Sequence, residues 1–307
     1  MSASLKSELG GLKLDAERYI ALLGKLIGEA ESVQNNPAQG LVPREDNISQ
    51  HVLDTLEPFS TEKGGPLTVE RVSFTEGRGN VIITYPGTTP ASVAFVGSHM
   101  DVVPANPETW ERDPFSLSVE GDKLYGRGAT DCLGHVAMLT EMMRAIAIAR
   151  PSLSRTVTVI FIANEENGMV TGIGVDRLME SGKMDHIRSG PVIWVDCADS
   201  QPCVGTAGSV TWHLKAVGKL FHSGLPHKGI NALELANAAI AELQDRFYLE
   251  FPSSADEERY RFSTSSTMKP TQASPAARPT PLRRRALRAA CVLEPSARPL
   301  GTTRRRR

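Results

Sequence analysis

The sequence predicts an α/β fold: a mostly parallel sheet flanked by helices, followed by a smaller, partial α/β unit. Three observations lead there. Strand-like and helix-like segments alternate between residues 79 and 199, the order that builds a parallel sheet with helices on its faces. The strand-like runs are short, apolar and rich in β-branched residues, as strands buried on both faces are. After Gly205 the texture changes to one half-wet strand and one long helix.

Taken in order, "DAERYIALLGKLIGEAES" (15–32) carries apolar residues at helical spacing behind a capping Asp. "NISQHVLDTLEPF" (47–59) is a second amphipathic helix, stopped by Pro58. "GNVIITYPG" (79–87) is a strand ended by Pro-Gly, and "ASVAFVGSH" (91–99) is the next strand. "DCLGHVAMLTEMMRAIAIA" (131–149) is a strong helix. "RTVTVIFIANEEN" (155–167) is a buried strand, "GVDRLMESGKM" a short helix, and "GPVIWVDCAD" (190–199) another buried strand. "SVTWHLKAVGK" alternates like a strand with one solvated face, and "GINALELANAAIAELQDRFYLEF" is one long helix. Residues 273–307 are rich in Pro, Ala and Arg without sustained period, the composition of a disordered segment.

Composition narrows the function classes. The 307 residues are 40% hydrophobic and 22% charged, ordinary for a globular protein. No apolar run approaches the roughly 20 residues of a membrane span, and the first residues lack the pattern of a secretory signal. Cys132, Cys197, Cys203 and Cys291 form no Cys-x-x-Cys pair and read as free thiols of a reducing, cytoplasmic compartment. The net charge of −1 hides a split: residues 273–307 hold ten Arg and one Glu, leaving an acidic body. A basic tail can bind nucleic acid, but no aromatics interleave with these arginines, so nucleic acid is a weak expectation.

The chemistry-bearing residues gather where strands stop. The first run ends at His99 and Asp101; a polar loop, "LYGRGATD", delivers Asp131 before a helix; the next run ends at Glu165-Glu166, and the last at Asp196. Alone, a His-x-Asp pair is most often a plain strand end, and "EEN" a solvated acidic turn. Together they repeat one pattern at the carboxyl edge of a sheet, where open α/β folds bind ligands. Imidazole and carboxylates suit a pair of divalent ions held ~3.5–4 Å apart by a bridging carboxylate, with one carboxylate left as base. Cys132, next to Asp131, has no evident partner base and reads as packing.

"GSHMDVVP", "GRGATDCLGH", "ANEEN" and "WVDCADSQPCVGTAG" resemble the successive motifs of the two-zinc amidohydrolase and peptidase family. "KLIGEAESVQNNP", "DPFSLSVEGDKLYGRG", "GKLFHSGLPHKGINALEL" and "STMKPTQ" resemble its plant-type acetylornithine deacetylase subgroup in particular. The resemblance implies that residues 1–204 form a metal-dependent catalytic domain and 205–272 part of a lid that makes a homodimer. It implies an N-acyl amino acid substrate, N-acetylornithine in that subgroup, and two metal ions: zinc, or else cobalt or manganese. Aminoacylase, dipeptidase and desuccinylase activities are the alternatives within the family. His99, Asp131, Glu166 and Asp196 would be metal ligands, with Asp131 bridging, Asp101 behind the His99 ring and Glu165 the general base. Asp199 competes with Asp196; the spacing to "QP" favours Asp196. His222 would stabilise the oxyanion. Family members continue past "STMKPTQ" and supply a further His ligand, whereas the last histidine here is His227. The expectation is therefore a truncated or frame-shifted chain after residue 272, with weak or absent turnover. A non-enzymatic product with a nucleic-acid-binding tail is the reading furthest from this one.

Overall fold

The computed structural model describes residues 12–196, 208, 210–260, 265–275 and 286–294. The chain divides into two compact units, Met1–Ser200 and Gln201–Arg307, and each is described by itself.

Helix α1 (Ala16–Gly28) starts where Asp15 accepts a hydrogen bond from the Arg18 N–H at 3.2 Å, a cap contributing about 1 kcal/mol. Its 3.6-residue period buries Leu22, Leu23, Leu26 and Ile27 on one face. Helix α2 (Asp46–Leu56) buries Ile48, Val52 and Leu56 and passes into a 3₁₀ turn at Pro58. Helix α3 (Leu133–Ala149) is apolar nearly all round and accordingly buried along most of its length.

The sheet of the first unit runs in the order β1 (Thr68–Ser73), β2 (Gly79–Tyr85), β6 (Thr156–Phe161), β3 (Ser92–Val96), β7 (Val192–Trp194). It is mixed: β1, β2 and β6 pair antiparallel, and β6, β3 and β7 parallel. The sequence reads as mostly parallel because the β3–α3–β6 crossover is easy to see. The reversed half is not, since β1, "TVERVS", carries no strong apolar run and its short link to β2 forces a hairpin. A separate hairpin joins β4 (Ser118–Glu120) to β5 (Lys123–Tyr125).

Period-two alternation divides the core. Val81 and Ile83 of β2, and Val159 and Phe161 of β6, face α1, α2 and α3. Ile82 and Ile160 face the other way, towards helix α4 (Val175–Glu180) through Leu178, and towards Met184 and Ile187. β7 corrects one expectation. The run "VIW" reads as buried, yet Val192, Ile193 and Trp194 are 50%, 44% and 49% exposed. β7 is the outer strand of this sheet, paired only with β3 among the described residues, so its apolar composition does not ensure cover.

Gly134, in the first turn of α3, sits so close to the preceding loop that a Cβ would lie 2.1 Å from the Ala129 carbonyl oxygen. Gly134→Ala is therefore expected to destabilise the chain by about 1–3 kcal/mol. Urea unfolding should show a lower midpoint with an unchanged slope.

In the second unit, β8 (Val210–Val217), β10 (Ala286–Glu294) and β9 (Thr267–Pro275) form an antiparallel sheet in that order. Helix α5 (Ala232–Glu250) is capped by the Asn231 side chain, and a shorter helix α6 (Ala255–Tyr260) follows. Part of the segment expected to lack structure is thus strand: β9 extends to Pro275, and β10 uses "ALRAACVLE", where only one Arg interrupts small and apolar residues. The rest of that segment lies outside the described residues.

Candidate metal centre

His99 lies beyond the end of β3, fully buried, with Ile162 beside it across a parallel bridge. Its Nδ1 is 2.8 Å from the Asp101 main-chain oxygen and 3.5 Å from Asp101 Oδ1. A carbonyl only accepts, so Nδ1 carries the hydrogen and Nε2 is the nitrogen presented to a ligand. Nε2 lies 2.8 Å from Asp131 Oδ1 and 3.9 Å from Glu165 Oε2. Asp131 stands at the entry to α3, where the Asp131–Cys132 peptide is cis. Ligand atoms of His99, Asp131, Cys132 and Asp196 all lie within 4.8 Å of one another.

Asp101 reaches further than the ring. Its Oδ1 accepts the Glu165 N–H at 3.0 Å, and its Oδ2 accepts the Glu166 N–H at 3.1 Å and Asn35 Nδ2 at 2.7 Å. One fully buried carboxylate therefore ties the imidazole strand end to the acidic turn. Burial alone would push Asp101 up, but His99, the Asn35 amide and the Glu165 N–H hold it below the usual carboxylate range.

The acids around it shift the other way. Glu166 is pushed up to about 7, first by burial, against the pull of His99, and further by Asp131, Asp101 and Glu165. Glu165 is raised by burial and by Asp196, Asp101 and Asp131, with His99 opposing. Burial works against charging the His99 ring, yet Asp101, Asp131 and Glu165 outweigh it and push the ring up to about 11. Negative groups crowd one spot, an environment that a bound cation would neutralise.

This donor set fits a divalent cation. It offers one imidazole nitrogen and several carboxylates, and Glu166 Oε1 is buried with no hydrogen-bond partner among the described residues. Cys132 belongs to the cluster by distance, but burial raises its thiol far above neutrality, and Sγ already contacts His135 Nδ1 at 3.4 Å. A protonated thiol is a poor ligand, so Cys132 packs here.

Of the residues singled out in the sequence, His99, Asp101, Asp131, Glu165, Glu166 and Asp196 come together in the first unit. Asp199 lies outside the described residues. His222 belongs to the second unit, exposed, with Nδ1 accepting the Gly224 N–H at 3.1 Å. Asn35, Glu45, Arg78 and Asn164, which surround the acidic turn, were not singled out. Asn35 lies in "KLIGEAESVQNNP" and Asn164 in "ANEEN", motifs read for their resemblance, whereas nothing in the sequence marks Glu45 or Arg78.

The model of Peptidase family M20/M25/M40 matches residues 95–296. The chain belongs to that family. This M20 chain is 55% identical over 275 residues to acetylornithine deacetylase of Arabidopsis thaliana, covering 89% of itself and 62% of that relative. It is 50% identical over 274 residues to the acetylornithine deacetylase of Dictyostelium discoideum, covering 86% of itself and 61% of the relative. It therefore spans about three fifths of the length of the curated relatives it matches. Among solved structures, the dipeptidase Dug1p of Saccharomyces cerevisiae superposes with a TM-score of 0.65 at 13% identity, over 98% of this M20 chain and 74% of the other. At that identity the likeness concerns the fold.

Proposed function

We propose that the chain carries the metal-dependent hydrolytic site of an acetylornithine deacetylase, cleaving the acetyl amide of N-acetylornithine to acetate and ornithine. The observation that supports it most is the convergence of His99, Asp131 and Asp196 ligand atoms within 4.8 Å of one another. Glu165 adjoins them, 3.9 Å from His99. The relatives' names point to the substrate.

In this reading His99, Asp131, Glu166 and Asp196 would hold two divalent ions, Asp131 being the carboxylate that would serve both. Zinc suits the ligands best, and cobalt or manganese also accept them. When bound, such ions lower the pKa of water and polarise the amide carbonyl. Glu165, the carboxylate raised by its surroundings, takes the proton from the attacking water and delivers it to the leaving nitrogen. Asp101 holds the His99 strand end and the Glu165-Glu166 turn in one register. His222 accepts the Gly224 N–H at Nδ1, and this reading assigns its Nε2 as a donor to the oxyanion. A homodimer through the second unit and a cytoplasmic setting, consistent with the unpaired Cys132, complete the reading.

The test needs no fast turnover. Metal-stripped chain should bind zinc in calorimetry, and saturating zinc at about 100 times Kd should stabilise it by about 2.7 kcal/mol. Acetate release from N-acetylornithine, measured over hours, should exceed that of the metal-free chain and of a panel holding N-succinyl-diaminopimelate, N-acetylmethionine and dipeptides. Chain that binds no zinc, or that releases acetate equally with and without it, is not this enzyme. Faster cleavage of a panel member would shift the substrate within the family.

A further inference from the structure

The acidic pair does not simply continue β6. Past Ala163 the chain turns at Asn164, whose φ of 58° lies in the left-handed region that asparagine adopts more readily than most residues. Every polar group of Asn164 but its carbonyl is engaged in a closed frame. Its main-chain N–H donates to Glu45 Oε1 at 3.2 Å. Its Nδ2 donates to the Val170 carbonyl at 2.7 Å and the Asn167 carbonyl at 3.2 Å, closing the loop that follows the acids. Its Oδ1 accepts from Asn35 Nδ2 at 3.0 Å and from Arg78 Nη2 at 3.4 Å. The same Asn35 nitrogen reaches Asp101 Oδ2, which in turn holds the Glu166 N–H. Arg78 and Glu45 are themselves a buried bidentate pair.

We propose that Asn164 is a positioning residue of the metal centre: its left-handed backbone and its amide lock the Glu165-Glu166 turn against Asp101, with Arg78–Glu45 as the anchor. The inference rests on the metal-dependent reading above and adds a residue to it. Two neighbouring carboxylates perform different tasks only if the turn presents them differently. Successive side chains diverge, but nothing in the pair itself fixes by how much. The frame does, because it holds the N–H groups on both sides of the turn and the loop beyond it. A brace serving stability alone would be met as well by apolar side chains, since buried ion pairs add little net stability. Fixing a geometry is what such networks do best.

The test uses the full chain, stripped of metal and titrated with cobalt(II) chloride, whose visible absorption reports both affinity and ligand geometry. Asn164→Gly keeps the left-handed backbone but deletes the amide. Asn164→Asp keeps the shape but faces two carbonyls with no donor. Both are read at a temperature where circular dichroism shows them folded. Each should bind cobalt about 10–100-fold more weakly, with an altered absorption band. With zinc bound, kcat should fall and KM should stay. If Asn164→Gly does not fold, Asn35→Ala carries the same readouts. Variants that melt earlier but match the unaltered chain in cobalt affinity and spectrum would overturn the proposal and leave the hydrolase reading standing. An unaltered chain that binds no cobalt or zinc sinks both. Weakened cobalt binding alongside an unaltered chain that hydrolyses nothing supports the positioning role and sinks only the hydrolase.

Discussion

Glu165→Gln is expected to lower turnover by about 10²–10⁴-fold, the range that a positioned general acid–base group contributes, while the chain keeps its metal. Both halves follow from the geometry. Glutamine fills the same space and still offers an acceptor oxygen, so the turn, held through its main-chain N–H on Asp101, is not disturbed. What is lost is the carboxylate that takes and returns a proton. Glu165 suits that task because burial and Asp196, Asp101 and Asp131 raise it, and a base nearer neutrality both accepts and releases the proton readily. The measurement is acetate release beside metal content by elemental analysis of the same sample. Parallel loss of metal and turnover would make Glu165 a ligand and move the base elsewhere.

Arg78→Met should be strongly destabilising, on the scale of truncating a large core side chain. Arg78 and Glu45 are 4% and 0% exposed, and the guanidinium makes two bonds to the carboxylate, at 2.9 and 2.5 Å. Removing one partner of a buried pair leaves the other charge uncompensated, typically costing about 3–5 kcal/mol. That is a large part of the roughly 5–15 kcal/mol that keeps a domain folded. Burial already pushes the Glu45 pKa up, and Arg78 is what draws it back. Without the arginine, burial and Asp101 favour the neutral form of Glu45, which accepts the Asn164 N–H more weakly than a carboxylate does. The double variant Arg78→Met, Glu45→Leu should recover much of the stability, since two apolar side chains need no partners. It should not recover metal affinity, because Asn164 N–H then lacks its acceptor. Urea unfolding and metal titration of the two variants separate the outcomes; a single variant within about 1 kcal/mol of the unaltered chain contradicts the burial argument.

Much of this site is legible in the linear chain because each acid or imidazole sits beside an apolar run. "VAFVGSH" must bury its strand, so the His at its end falls at the sheet edge, and the same holds for "TVIFIANEE". What escapes is everything set by chain distance. Asn35 meets Asp101 and Asn164 across 66 and 129 residues, and Glu45 meets Arg78 across 33. No local period carries those meetings. The role of Asp101 is also only half readable: its place two residues after His99 suggests support for the ring, but its main contacts go to the N–H groups of Glu165 and Glu166.

The sequence by itself determined most of the helices and central strands of the first unit, the family likeness and which side chains are candidate ligands. These depend on side-chain type and on periods of two and 3.6, which are properties of neighbours along the chain. Only the tertiary structure decided that β6 enters between β2 and β3, that β7 is left half exposed, and that an asparagine frame holds the acidic turn. Strand order, burial and hydrogen-bond partners are set by which distant segment arrives next to which, and that follows from packing the whole sheet at once.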